Sequence, residues 1–144
     1  MSKVKMDAET LSKNLQHFCG TEEYYKHLLG IHYTDGVKYL AENAQAYWLI
    51  DAIASHQPRA RRIHRLTEFQ LWFLHVGNKH EFIKPRSLRG GTPSPNAAVL
   101  TCWEDSPTAD TKPAIIQQIP FTDFPLPEIK LFLQEKVLLL PSEN

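Results

Sequence analysis

No stretch of the 144-residue sequence approaches the roughly 20 consecutive apolar residues that a membrane-spanning helix needs, and the opening MSKVKMDAET holds no apolar signal core. These absences lead to the expectation of a cytoplasmic protein with no membrane partner. Excess charge of either sign is lacking as well. Sixteen basic residues balance 16 acidic ones, so no global field draws the chain toward nucleic acid, and an electrostatic partner must be met by a local patch. Cysteine is scarce. Cys19 and Cys102 form neither a CxxC pair nor a dense framework, and both are expected to be free thiols.

The signatures of common chemistries are missing too. None of the seven histidines stands in HExxH or Cys–His zinc spacing, so no metal site is expected. The adjacent glycines of RSLRGGTPSPN lack both the GK[ST] ending of a phosphate loop and the spaced glycines of a dinucleotide fingerprint, so no cofactor is expected. There is no GxSxG elbow to mark a hydrolase. Without repeats or low-complexity tracts, the length suits one domain over residues 1–144, burying about two thirds of the surface its unfolded chain exposes.

What is present is organised around residues 34–57, TDGVKYLAENAQAYWLIDAIASHQ. Thr34 or Asp35 can cap a helix there, and the helical spacing that follows predicts a rod of about 20 residues and roughly 30 Å. At 100° per residue, Val37, Leu40, Ala41, Ala44, Tyr47, Trp48, Asp51 and Ala52 share one face, which carries Asp51 inward. A buried carboxylate must be paired, hydrogen-bonded or protonated. Asp51 is therefore the candidate catalytic residue, a general base beside a His or Tyr in a cleft, or else a structural anchor. Tyr47, Trp48 and Asp51 together form a candidate ligand site, with the rings equally able to serve as core.

Before that helix, Asp7 or Thr10 opens a short helix through Leu11, Leu15 and Phe18, with Gly20 as its stop, and TEEYYKHLLGIHYT reads as an extended connection or short strand. After it, Pro58 should end the helix. The run SHQPRARRIHR then places Arg59, Arg61, Arg62 and Arg65 within seven residues. Arginine grips phosphates bidentately, so these four are the candidate nucleic-acid contacts, with Arg86 and Arg89 as additions. The alternative is a solvated turn at a helix C-terminus.

From Leu66 the spacing changes to that of strands. LTEFQLWFLHV predicts a central strand, KHEFIKPR its return across a turn at Gly77 and Asn78, and NAAVLTCWED and AIIQQIPF two more. In TDFPLPEIKLFLQ, Thr122 or Asp123 is expected to cap a helix of about two turns through Ile129 and Leu133, followed by VLLL as a buried strand. The expected architecture is α+β: a long central helix plus an N-terminal helix on one face of a mainly antiparallel four- or five-stranded sheet.

The stretches FCGTEEYYKH, YTDGVKYLAENAQAYWLIDAI, FQLWFL, IPFTDFPLPEIKLFL and VLLLPSE together resemble a family of small bacterial proteins classed as a domain of unknown function. The resemblance covers nearly the whole chain and implies a single intracellular bacterial domain, with no catalytic residue, cofactor or partner attached. Three functions remain open. The first is a non-enzymatic binding or accessory module using an aromatic or basic surface, as a homodimer or with a protein partner, with Trp72 or Trp103 as anchors if exposed. The others are nucleic-acid binding through the arginines and a small enzyme built on Asp51.

Overall fold

A computed structural model of the protein describes residues 6–77, 96–105 and 111–143. In chain order its elements are α1 (Ala8–Leu15), β1 (Tyr24–Lys26), β2 (His32–Thr34), α2 (Asp35–Asn43), α3 (Tyr47–Ser55), α4 (Gln57–Ala60), β3 (Phe69–Val76), β4 (Ala98–Trp103), β5 (Ile115–Ile119), β6 (Glu128–Gln134) and β7 (Val137–Leu139). A 3-10 turn at Pro141–Glu143 follows β7. Among the described residues the strands form one seven-stranded sheet in the order β1-β2-β7-β6-β3-β4-β5. Neighbours run antiparallel except β2 and β7, which pair in parallel. The class is α+β, but the sheet is larger than the expected four or five strands and is mixed, because β1 and β2 join it from ahead of the helices. The expected return strand KHEFIKPR, Arg86, Arg89 and the glycine-rich loop lie outside the described residues.

The N-terminal helix forms as its cap demands, with the Asp7 carboxylate accepting from the Thr10 N–H at 2.8 Å. It ends at Leu15, well before Gly20, which takes no left-handed conformation. Thr34 caps α2, its hydroxyl accepting from the Val37 N–H. The long helix does not continue through residue 57. Gln45 adopts φ 51°, and the Ala46 N–H reaches back to the Ala41 carbonyl at 2.8 Å, which is the six-residue closure of a Schellman stop. Such a stop usually uses glycine; here a glutamine takes the left-handed position, so nothing in the local spacing announces it. α3 starts afresh with a different face inward, burying Leu49, Ile50, Ile53 and Ala54 and turning Asp51 outward. The expectation that Asp51 is buried is thereby corrected.

Pro58 is also corrected from stop to start: it occupies the first turn of α4, where its missing N–H costs nothing. The predicted helix after Thr122 is a strand. The Thr122 hydroxyl accepts from the Phe124 N–H two residues on, a local turn rather than a helix cap. Beyond Pro127, Ile129, Leu131 and Leu133 then alternate with Glu128, Lys130 and Phe132, and β6 pairs with β3 over seven positions.

The helices cover one face of this sheet. Leu11 and Leu15 of α1, Val37 and Leu40 of α2, and Leu49, Ile50 and Ile53 of α3 share a buried cluster with Trp72, Leu74, Leu100, Cys102, Ile115, Leu131, Leu133 and Leu138. Each such Leu or Ile contributes about 1.5 to 3 kcal/mol by leaving water. Trp72 and Trp103 are buried in β3 and β4, so neither is the exposed anchor that an aromatic protein interface would need. β6 and β7 are joined by a two-residue turn in which Glu135 and Lys136 have φ 49° and 69°. Both central residues of a type I′ turn must take positive φ, and side-chain-bearing residues adopt it at a cost of about 1 kcal/mol each.

Candidate functional site

The start of α2 gathers a cluster of side-chain hydrogen bonds. The Glu143 carboxylate accepts from the Thr34 hydroxyl (2.6 Å), the Leu140 N–H (3.0 Å) and the Gly36 N–H (3.2 Å). Beside it, the Asp35 carboxylate accepts from the Glu22 N–H at 3.0 Å and the Tyr25 hydroxyl at 2.9 Å. Lys38 lies 4.4 Å over the Tyr25 ring, which stacks on Tyr33. These groups lock the β1–β2 hairpin and the C-terminal turn onto one helix end. Their polar atoms are engaged with each other.

This lock has a pH signature. The Glu22 N–H holds the Asp35 carboxyl below its ordinary 3.8 against the opposing effect of burial, with a smaller contribution from the Tyr25 hydroxyl. The hydrogen bond to Asp35 pushes the Tyr25 phenol well above its ordinary 10.0. A depressed carboxyl stabilises the fold above its unfolded-state pKa and loses that contribution as pH falls through the folded value. A raised phenol stabilises it below its unfolded-state pKa and loses that contribution as pH rises through the folded value. Urea midpoints are therefore expected to fall once pH exceeds 10.0, and Tyr25→Phe should flatten that alkaline decline. An unchanged alkaline slope in the variant would count against this role for the Tyr25–Asp35 bond.

Asp51 is 67% exposed and pairs with His27, Nε2 to Oδ1, at 2.7 Å. The two groups stand at the distance of a His–carboxylate dyad. The other ring nitrogen, His27 Nδ1, accepts from the Leu29 N–H at 3.0 Å, so both nitrogens are engaged within the fold. The pair fastens the tip of the β1–β2 hairpin to α3. Tyr47 and Trp48 do come together, lining a cleft of about 420 Å³ with Ala41, Glu42 and Gln45. Asp51 is not part of that cleft. Tyr47 donates to Glu42, and Trp48 packs edge-on to Phe124, so the three candidate ligand residues split into two unrelated places.

The four arginines stay close in sequence and differ in state. Arg65 is bound to Glu104 at 3.3 Å. Arg59, Arg61 and Arg62, on α4 and the residues just after it, are exposed. Among the described residues none of these three has a carboxylate partner. Among the same residues no three His, Cys, Asp or Glu side chains converge on a metal-sized space.

Beneath the arginines lies a polar network that the spacing did not reveal. Gln57 and Gln70, both buried, exchange amide hydrogen bonds at 3.0 and 2.9 Å. Gln57 also donates to the Ile53 carbonyl and Gln70 to the Leu66 carbonyl, while Trp72 Nε1 donates to Gln70 Oε1 at 2.8 Å. His56 stacks on Trp72 and binds Gln117 at 2.6 Å. The glutamine pair borders a cleft of about 310 Å³ between α4, the start of β3 and the β6–β7 turn. Its buried lining adds Leu66 and Leu133, and its exposed rim consists of Arg61, Thr67, Glu135 and Lys136. Gln70 was legible as a polar residue in step with Trp72 and Leu74. Glu135 and Lys136 read from sequence as the turn into VLLL, with nothing to mark them as lining a cleft.

No helix among the described residues is long and apolar enough to cross a membrane. Comparison with curated proteins and with solved structures yields no match. Over residues 9–144 the sequence matches a family of unknown function, DUF6876, and the chain belongs to that family.

Proposed function

We propose that this chain is a non-catalytic binding module that contacts a phosphate-bearing polymer through Arg59, Arg61 and Arg62, acting as one domain in the cytoplasm. The observation that carries this reading is the state of those three side chains: exposed, adjacent and without a carboxylate partner among the described residues. Arg65, which Glu104 neutralises, is the weaker contact. Guanidinium groups in this condition are ready to grip phosphates, whereas a neutralised surface turn is not. The balanced overall charge makes the contact local, so affinity should be modest and strongly salt-dependent.

An enzyme built on Asp51 has less support, since both nitrogens of its histidine partner are engaged within the fold. The test is a titration of labelled single-stranded and duplex oligonucleotides at low and physiological salt, for the native chain and the Arg59→Ala/Arg61→Ala/Arg62→Ala variant. Binding by the native chain should weaken steeply with salt, and removing three phosphate contacts should reduce the log–log salt slope by about 2 to 3. No binding at low salt, or an unchanged slope in the variant, would retire the reading.

A further inference from the structure

The cleft of about 310 Å³ under Arg61 combines three features. Two cations, Arg61 and Lys136, stand on its rim with no carboxylate partner among the described residues, and Glu135 is the single opposing charge there. Its interior is apolar at Leu66 and Leu133 and polar at the glutamine pair, where Gln57 Oε1 accepts one bond and keeps a second lone pair for a further donor. Its third feature is the turn. Glu135 and Lys136 sit in left-handed backbone, where Asn-Gly would relieve the strain, yet both positions carry long charged side chains at the rim. Backbone strain retained at the edge of a cleft points to a use for the side chains it presents.

We propose that this cleft binds a small phosphomonoester, with Arg61 and Lys136 holding the phosphate and the organic body lodged over Leu66, Leu133 and the Gln57 amide oxygen. Two cations on one rim match a doubly charged head group better than a single carboxylate, and the guanidinium supplies a bidentate grip. The volume falls within the range of small-ligand pockets, with room beyond the phosphate for a body carrying a hydroxyl or amine donor. This goes beyond the polymer contact: Arg59 and Arg62 do not line the cleft, and Lys136 lies apart from the arginine segment in sequence.

Calorimetric titration of the full chain with a 5′-mononucleotide and with glycerol phosphate, each beside its unphosphorylated counterpart, tests the proposal. At least one phosphorylated probe should bind and its counterpart should not. Glu135→Asn/Lys136→Gly should raise the melting midpoint by about 3 °C or more through relief of the turn. The same variant should weaken binding at least tenfold, an outcome that a purely structural turn would not give. Arg61→Gln should weaken binding likewise, while Arg59→Ala/Arg62→Ala should leave it intact. In that last variant, preference for a 5′-phosphorylated oligonucleotide over its 5′-hydroxyl twin would mark the phosphate as a polymer end, and equal binding would assign it to a free metabolite. Failure of both phosphorylated probes to bind, equal binding by their counterparts, or full affinity in the stabilised turn variant would overturn the proposal. Loss of oligonucleotide binding in Arg59→Ala/Arg62→Ala with phosphomonoester binding kept would separate the two sites.

Discussion

Gln70→Leu is expected to lower the unfolding free energy by about 3 to 5 kcal/mol, a large share of the roughly 5 to 15 kcal/mol that holds a domain together. The leucine would fit the strand and its apolar neighbours. The damage comes from what it strands: Trp72 Nε1, the Leu66 carbonyl and one Gln57 N–H all lose a partner in a buried place. Each such group costs about 1 to 3 kcal/mol when left dry and unpaired, and partial relaxation recovers some of it. Removing both halves of the amide pair should hurt less than the sum of the parts. The Gln57→Leu/Gln70→Leu double variant is expected to recover at least about 1 kcal/mol against additivity. Urea unfolding followed by tryptophan fluorescence measures all three. Additive losses, or a single-variant cost below about 1 kcal/mol, would mean the network is not closed in the way the distances indicate.

Gly36→Ala is expected to cost about 2 to 3 kcal/mol for a different reason. A Cβ at that position would lie 2.6 Å from both Glu143 Oε1 and Leu140 Cδ1. Gly36 is a helical residue without positive φ, so conformational freedom is not the issue; space is. The methyl group evicts the Glu143 carboxylate, which then loses the Thr34 hydroxyl, the Leu140 N–H and the Gly36 N–H together. Glu143→Ala should reproduce most of the loss without touching the helix. In the Glu143→Ala background, Gly36→Ala should cost much less, because only Leu140 remains to be displaced. Thermal melts of the two single variants and the double variant decide this. Equal costs of Gly36→Ala in both backgrounds would put the clash elsewhere.

Much of the frame was readable from residue chemistry. Asp7 and Thr34 cap where short polar side chains ahead of helical spacing should, and β3, β4, β5 and β7 follow runs bounded by turn residues. The misreadings have two causes, a backbone stop that side-chain spacing does not announce and local spacing that a distant partner overrides. Gln45 ends α2 by a backbone closure that needs no glycine, so the projection that buried Asp51 used a rotation that stops at residue 44. Thr122 carries the side chain of a helix cap, but pairing with β3 claims residues 128–134 for the sheet. Of the candidate residues, the arginines could be placed from sequence because exposure is the default for a basic run. The cleft beside them could not, since it joins residues 57–70 to residues 133–136 across the fold.

The parallel pairing of β2 with β7, and the carboxylate bonds from Glu143 to residues 34 and 36, carry a kinetic consequence. During synthesis, the first 60 or so residues can form α1, α2 and the β1–β2 hairpin, but among the described residues the sheet order bonds that hairpin to other strands only through β7. Until residues 137–143 emerge, the hairpin lacks β7 to extend and the start of α2 lacks the Glu143 carboxylate. Contacts separated by more than 100 residues are slow to find one another because the intervening chain must first be closed. The part of the core that Leu138 and Leu140 close would meanwhile stand open to chaperones and to other nascent chains.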